Sequence, residues 1–226
     1  MSKWQSGDSW LHYDYREDVS YVYINIPKNA SSWMKENFGG YFYDWRANQF
    51  RSSVDSAITL RRGLLATKKY LVILRDPIDR WCTGFAQSYV GGDLKDPNYF
   101  AYQRPDRWVD LIPQDDHIRA QCDFLRGLDH AVTTWFDCGH QLTSDIKNWM
   151  QGKFDHAIKE LTDDEHNLYN ISSKGTVSPS TGLTQQDIIN QVRYQLSIDP
   201  HSLSRLKAKY RDDYALRESV TFYGSR

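Results

Sequence analysis

The sequence predicts an α/β fold, a central parallel sheet flanked by helices, in a single domain over residues 1–226. Three observations lead there. Residues 21–26 (Tyr-Val-Tyr-Ile-Asn-Ile) and 70–74 (Tyr-Leu-Val-Ile-Leu) are short, apolar, β-prone runs that read as buried strands. Each runs into a polar turn that carries a proline, Pro27 or Pro77. Each turn is followed by a stretch that reads as a helix, and two strand–turn–helix units in succession call for crossover connections and parallel strands.

The elements follow in order. Helix is expected over residues 33–38, stopped by Gly39-Gly40, and over 79–89, with Pro77 just upstream and Gly91-Gly92 just beyond. Residues 41–65 carry no clear pattern, and 92–114, rich in Pro, Asp and aromatics, read as a surface excursion. Residues 116–125 read as helix, 131–136 as a third strand, and 142–150 as a helix with Thr143 or Ser144 near its start. A Ser/Gly/Thr/Pro loop covers 171–182. Helices are expected over 185–196 and 202–216, the latter with Leu203, Leu206, Tyr210 and Tyr214 at spacings of three and four.

Composition narrows the function. A chain of 226 residues, 40% hydrophobic, can bury a sizeable core without disulfide or metal staples. Net charge is −1, so no global basic field exists to hold nucleic acid by counterion release, and no nucleic-acid partner is expected. The three cysteines, Cys82, Cys122 and Cys138, form no metal-spaced pair and suit a reducing compartment. No apolar run approaches the roughly 18 residues of a membrane helix, and Met1 to Gly7 is polar, without a signal-peptide core. The expectation is a soluble, cytoplasmic protein with no membrane span.

Chemistry concentrates in the two turns. Pro27-Lys28-Asn29-Ala30-Ser31-Ser32-Trp33 leads from a strand into a helix, where backbone N–H groups and the positive helix end favour an anion. Lys28 adds a charge, Ser31 and Ser32 add hydroxyl donors, and small Ala30 and Ser31 allow close approach. The glycines of a Walker A loop are missing. The structural alternative is a capping turn with a solvated lysine. The second turn begins at Arg75, at the strand's C-terminal end, where open α/β sheets bind ligands. Thr83 lies two helical turns on. For Arg75 and Arg80 the structural alternative is ion pairing with Asp76 or Asp79.

Together these stretches resemble the sulfotransferases that use PAPS (3'-phosphoadenosine 5'-phosphosulfate). Pro27-Lys28-Asn29-Ala30-Ser31-Ser32 resembles the family's 5'-phosphosulfate loop, Pro-Lys-x-Gly/Ala-Ser/Thr-Ser/Thr. Residues 75–85 resemble its 3'-phosphate motif, Arg-x-Pro-x-x-Arg-x-x-Ser-x-Tyr, with Arg75, Pro77 and Arg80 matching, Thr83 in place of Ser and Phe85 in place of Tyr. Residues 117–125 resemble the His-x-x-x-Gln-x-x-Phe-Leu stretch of carbohydrate-type members, 170–175 their Asn-x-Ser-x-x-Lys segment, with the lysine one position earlier at Lys174, and 210–216 their closing Tyr-x-x-Asp-Tyr-x-Leu. The resemblance implies a P-loop-like sheet and a bacterial or viral soluble member. It also implies sulfuryl transfer from PAPS to an acceptor hydroxyl on a carbohydrate, with adenosine 3',5'-bisphosphate as product and no metal.

The resemblance also implies roles. Lys28 would meet the leaving phosphate, the amides of Asn29, Ala30, Ser31, Ser32 and Trp33 would hold the 5'-phosphosulfate, and Arg75 and Thr83 the 3'-phosphate, with Ser173 and Lys174 close to the donor. The acceptor's general base is open between His117 and Glu36, with Asp44 and Asp55 behind them. Aromatics in 41–45 and 99–108 are candidates for stacking on sugar rings or for ordinary packing. Two other readings remain: a nucleotide-dependent kinase, and a non-catalytic domain that binds PAPS or its desulfated product.

Overall fold

The computed structural model describes residues 9–14, 17–38, 43–44, 62–90, 116–151 and 182–224. Five strands form one sheet: β1 (Ser9–Asp14), β2 (Val19–Ile24), β3 (Tyr43–Asp44), β4 (Thr67–Leu74) and β5 (Thr133–Asp137), in the order β3-β1-β2-β4-β5. The expected parallel sheet is its centre, since β2, β4 and β5 pair in parallel. The whole sheet is mixed. β1 runs antiparallel to β2, Ser9 opposite Ile24 and Asp14 opposite Val19, and β3 runs antiparallel to β1. The link between Asp14 and Val19 is far too short for a crossover, so only a hairpin is open to it.

Seven helices of the described residues matter here: α1 (Ser31–Phe38), α2 (Pro77–Val90), α3 (Gln121–Phe124), α4 (Leu142–Met150), α5 (Gln185–Ile198), α6 (Pro200–Lys209) and α7 (Arg211–Ser219). Two expectations need correction. The helix over 116–125 shrinks to α3, because residues 116–119 form a turn and Ala120 is extended, with φ −54° and ψ 138°. The carbonyls of Asp116 and Arg119, which a helix would use internally, accept instead from the Arg80 guanidinium. The helix over 202–216 divides into α6 and α7 at Tyr210 (φ −104°, ψ 23°), whose buried phenol donates to the Ile118 carbonyl. Asp199 caps α6, accepting from the His201 and Ser202 amides at 3.1 and 3.2 Å, and Pro200 opens its first turn. The third strand starts at Thr133, after a single 3-10 turn over His130–Val132.

Strand periodicity sorts the core into layers. Val19, Tyr21 and Tyr23 of β2, Leu71 and Ile73 of β4 and Phe136 of β5 pack on Trp33 and Met34 of α1 and on Leu142, Ile146, Trp149 and Met150 of α4. The alternate residues Ile24, Val72, Leu74 and Trp135 face Phe124, Leu125 and Leu128, with Leu216 and Val220 against them. A third cluster joins α2, α5 and α6 through Trp81, Phe85, Tyr89, Ile188, Val192, Leu196 and Leu206. All three cysteines are free, and burial pushes the thiols of Cys82 and Cys122 up to about 12 and that of Cys138 to about 11. They stay protonated near neutral pH. Among the described residues no helix is long and apolar enough to cross a membrane.

Gly84 marks where the 116–119 turn presses on α2. A Cβ there would lie 2.6 Å from both the His117 carbonyl oxygen and Ile118 Cγ2. Helix propensity alone would make Gly84→Ala stabilising by about 1 kcal/mol. We expect the opposite sign, a loss of about 1–3 kcal/mol by overpacking, because the obstructing oxygen belongs to the backbone. Chemical denaturation of the two proteins decides the sign.

Candidate functional site

The parallel register carries the ends of three strands to one edge of the sheet. Ile24 lies beside Val72 and Leu74 beside Asp137, so the turns after β2, β4 and β5 emerge together. This is the carboxyl edge at which open α/β sheets place ligands.

After β2 the chain makes a tight polar turn. The Asn29 amide donates to the Ile26 carbonyl at 3.1 Å, and Lys28 and Ala30 both take left-handed backbone, with φ 70° and 59°. Such conformations are unfavourable for residues with a Cβ and mark positions that the surroundings enforce. Alternating hand also turns neighbouring N–H groups toward a common hollow. The first helical bond of α1 runs from Met34 N–H to the Ala30 carbonyl at 2.9 Å. The N–H groups of Ser31, Ser32 and Trp33 therefore precede it, at the positive end of an eight-residue helix. Trp33 points its ring into the core, which anchors the helix start to the sheet.

After β4, three residues divide the labour. Arg75 is buried at the strand end, and its Nη1 donates to the Lys28 carbonyl at 3.0 Å. Asp76 is the cap of α2: its Oδ1 accepts from the Asp79 amide at 2.9 Å, and its carbonyl accepts the first helical bond, from Arg80 N–H. Pro77 fills the first helical position, where no N–H is needed. Burial and then Asp76 push the Tyr214 phenol up to about 12. Asp79 ion-pairs with Arg193 of α5 at 2.8 Å.

Arg80 does not extend toward the strand edge. It is 1% exposed and spans the two turns, Nε donating to the Pro27 carbonyl at 2.8 Å and Nη2 to the Asp116 carbonyl at 2.8 Å, with Nη1 on the Arg119 carbonyl. Its guanidinium also lies 5.8 Å from the centre of the Phe124 ring. Phe85 stacks between Trp81 and Tyr89, with ring centres at 5.3 and 6.4 Å. Phe85 is fully buried in the cluster of α2, α5 and α6.

A buried amide network ties these parts together. Asn29 Nδ2 donates to the Ile73 carbonyl at 2.7 Å and to Gln121 Oε1 at 2.6 Å. Gln121 brackets Arg75 on both backbone groups, accepting from its N–H at 3.0 Å and donating to its carbonyl at 2.9 Å. Asp213 of α7, 1% exposed, accepts from the Gln121 and Cys122 amides at 2.8 and 2.9 Å. Asn29 thus serves by its side chain as a strut for the turn, in addition to any use of its amide.

Beside this framework lies an open cleft of about 350 Å³ lined by Arg75, Asp79, Thr83, His140, Gln186, Ile189 and Arg193. Thr83 Oγ1 donates back to the Asp79 carbonyl at 2.9 Å and still borders the cleft. The structure therefore brings Arg75 and Thr83 together, with Lys28 next to Arg75 through its backbone. His117 stands elsewhere: its Nε2 is 3.2 Å from Gln87 Nε2, against α2, and it is not among the residues lining this cleft. Glu36 falls within α1 and Asp44 within β3. Ser173, Lys174, Asp55 and residues 99–108 lie outside the described residues. Sequence reasoning passed over His140, Gln186 and Arg193. The available signal was the spacing of Gln186, Ile189 and Arg193 at three and four along a helix, which places them on one face. Compared with protein-family models, with characterised proteins and with solved structures, the chain finds no match.

Proposed function

We propose that the protein is a P-loop-like sulfotransferase, taking a sulfuryl group from PAPS to a carbohydrate hydroxyl and leaving adenosine 3',5'-bisphosphate. The observation that carries this reading is the 3.0 Å bond from Arg75 to the Lys28 carbonyl, because it sets two cation-bearing turns side by side at the carboxyl edge of a parallel sheet. A ligand with two separated anionic groups suits that arrangement. The left-handed turn and the amides at the start of α1 offer donors to one group, and the cleft of Arg75 and Thr83 offers cation and hydroxyl to the other.

PAPS, as substrate, would supply an activated sulfuryl group whose leaving phosphate gains charge as the acceptor oxygen binds sulfur. The chain's part is alignment and charge neutralisation. Lys28 brings its ammonium to the leaving phosphate, the amides of residues 29–33 form a preorganised donor set, and the Gln121–Asn29 network holds both turns rigid. For the acceptor proton the candidates are His117 and Glu36, and the Gln87 contact gives His117 a fixed orientation against α2.

Thermal melting with adenosine 3',5'-bisphosphate tests the reading. At a ligand concentration of 100 times the dissociation constant the protein should gain about 2.7 kcal/mol, which corresponds to a rise of roughly 5–10 °C for a chain of this size. No shift at millimolar ligand, or a shift given only by ATP with magnesium, overturns it.

A further inference from the structure

We infer that Arg193, with Asp79, forms a counterion-exchange site that makes the cleft selective for a dianionic phosphate monoester. This deepens the proposed function and rests on that reading. Arg193 comes from α5, more than a hundred positions after the Arg75 turn, and belongs to neither phosphate motif. It lines the same cleft as Arg75 and Thr83. Its guanidinium is held at 2.8 Å by the Asp79 carboxylate, and the two side chains are 42% and 45% exposed.

Two guanidiniums facing one open cleft would repel each other without a compensating charge. Asp79 supplies it from the first turn of α2. A half-exposed ion pair of this kind is worth only about 0–1 kcal/mol, so exchanging the carboxylate for a ligand phosphate costs little. A phosphate monoester near neutral pH carries close to two charges and three acceptor oxygens. It can therefore engage Arg75 and Arg193 together, which a hydroxyl or a singly charged ester cannot match. α5 is braced for this use. A capping box of Thr184 and Asp187 fixes its start, and Gln185 Nε2 reaches the Thr83 carbonyl at 3.4 Å. Arg193 thus acts as a specificity residue for the group at the 3' position of the donor.

The test compares adenosine 3',5'-bisphosphate with adenosine 5'-phosphate by calorimetry, on the parent protein, Arg193→Gln and Asp79→Asn. Losing a charge-assisted contact should weaken the bisphosphate at least about tenfold in Arg193→Gln and leave the 5'-phosphate within about twofold, since that ligand lacks the group the contact reads. Asp79→Asn, which releases Arg193 without removing it, should tighten the bisphosphate. Melting temperatures of both variants should stay near the parent's, as expected for an exposed pair. If the pair only ties α5 to α2, both variants will keep the parent's preference between the two nucleotides, and the inference falls while the donor reading stands. If the parent binds neither nucleotide, the donor reading falls and takes the inference with it.

Discussion

Arg80→Met should be the most destabilising single change in the site, costing at least about 3 kcal/mol, because it leaves three inward carbonyls without their donor and each such loss costs about 1–3 kcal/mol. The methionine fills much of the stem's volume, so the loss reports the guanidinium and not a cavity. The three carbonyls belong to Pro27, Asp116 and Arg119, which lie on two separate turns. Arg80 is therefore the clamp that fastens the Lys28 turn and the turn before α3 to the start of α2. A fall in melting temperature of roughly 6–12 °C is expected for a chain of this size. Arg80→Lys should fall between, since one ammonium cannot serve three directions at once. A melting temperature within about 2 °C of the parent would contradict the clamp.

Much of this arrangement was legible in the residues themselves. The apolar runs ending at Pro27 and before Arg75 located β2 and β4, and their polar turns located the edge where the cleft lies. Local chemistry was enough there, because strand periodicity, a capping Asp76 and Pro77 act over a few residues. What escaped was set by partners distant in sequence. β1 gives no clear strand signal in isolation and is defined by its pairing with β2. The stretch 116–125 has helical composition, yet Arg80 draws two of its carbonyls away. The structural alternative for Arg75 and Arg80, ion pairing with Asp76 or Asp79, is not the arrangement found: Asp76 caps a helix, Asp79 holds Arg193, and both arginines reach for backbone. In the sequence Gln121 and Asp213 stand out only as members of motifs. Their roles as bracket and cap depend on α3 and α7 meeting at the strand end.

Lys28→Ala should lower turnover by about 100-fold or more, as removal of one preorganised transition-state contact does, and should change affinity for adenosine 3',5'-bisphosphate far less. On the proposed reading the charge that Lys28 meets would grow during transfer, so its contribution would be largest at the transition state. Alanine is the proper replacement. Residue 28 sits at φ 70°, and a Cβ is present before and after the change, so the turn's strain is the same in both proteins. Glycine would relax the turn and confuse the two effects. The fold should be unaffected, because the turn is fixed through Asn29, the Lys28 carbonyl and the Pro27 carbonyl. The most direct measurement is transfer of label from sulfur-radiolabelled PAPS to a set of mono- and oligosaccharides by the parent protein and by Lys28→Ala. The parent should place label on a sugar hydroxyl, and the variant should bind the bisphosphate yet transfer at about one-hundredth of that rate or less. Failure of the parent to label any sugar, or equal rates for both proteins, would contradict sulfuryl transfer to carbohydrate at this site.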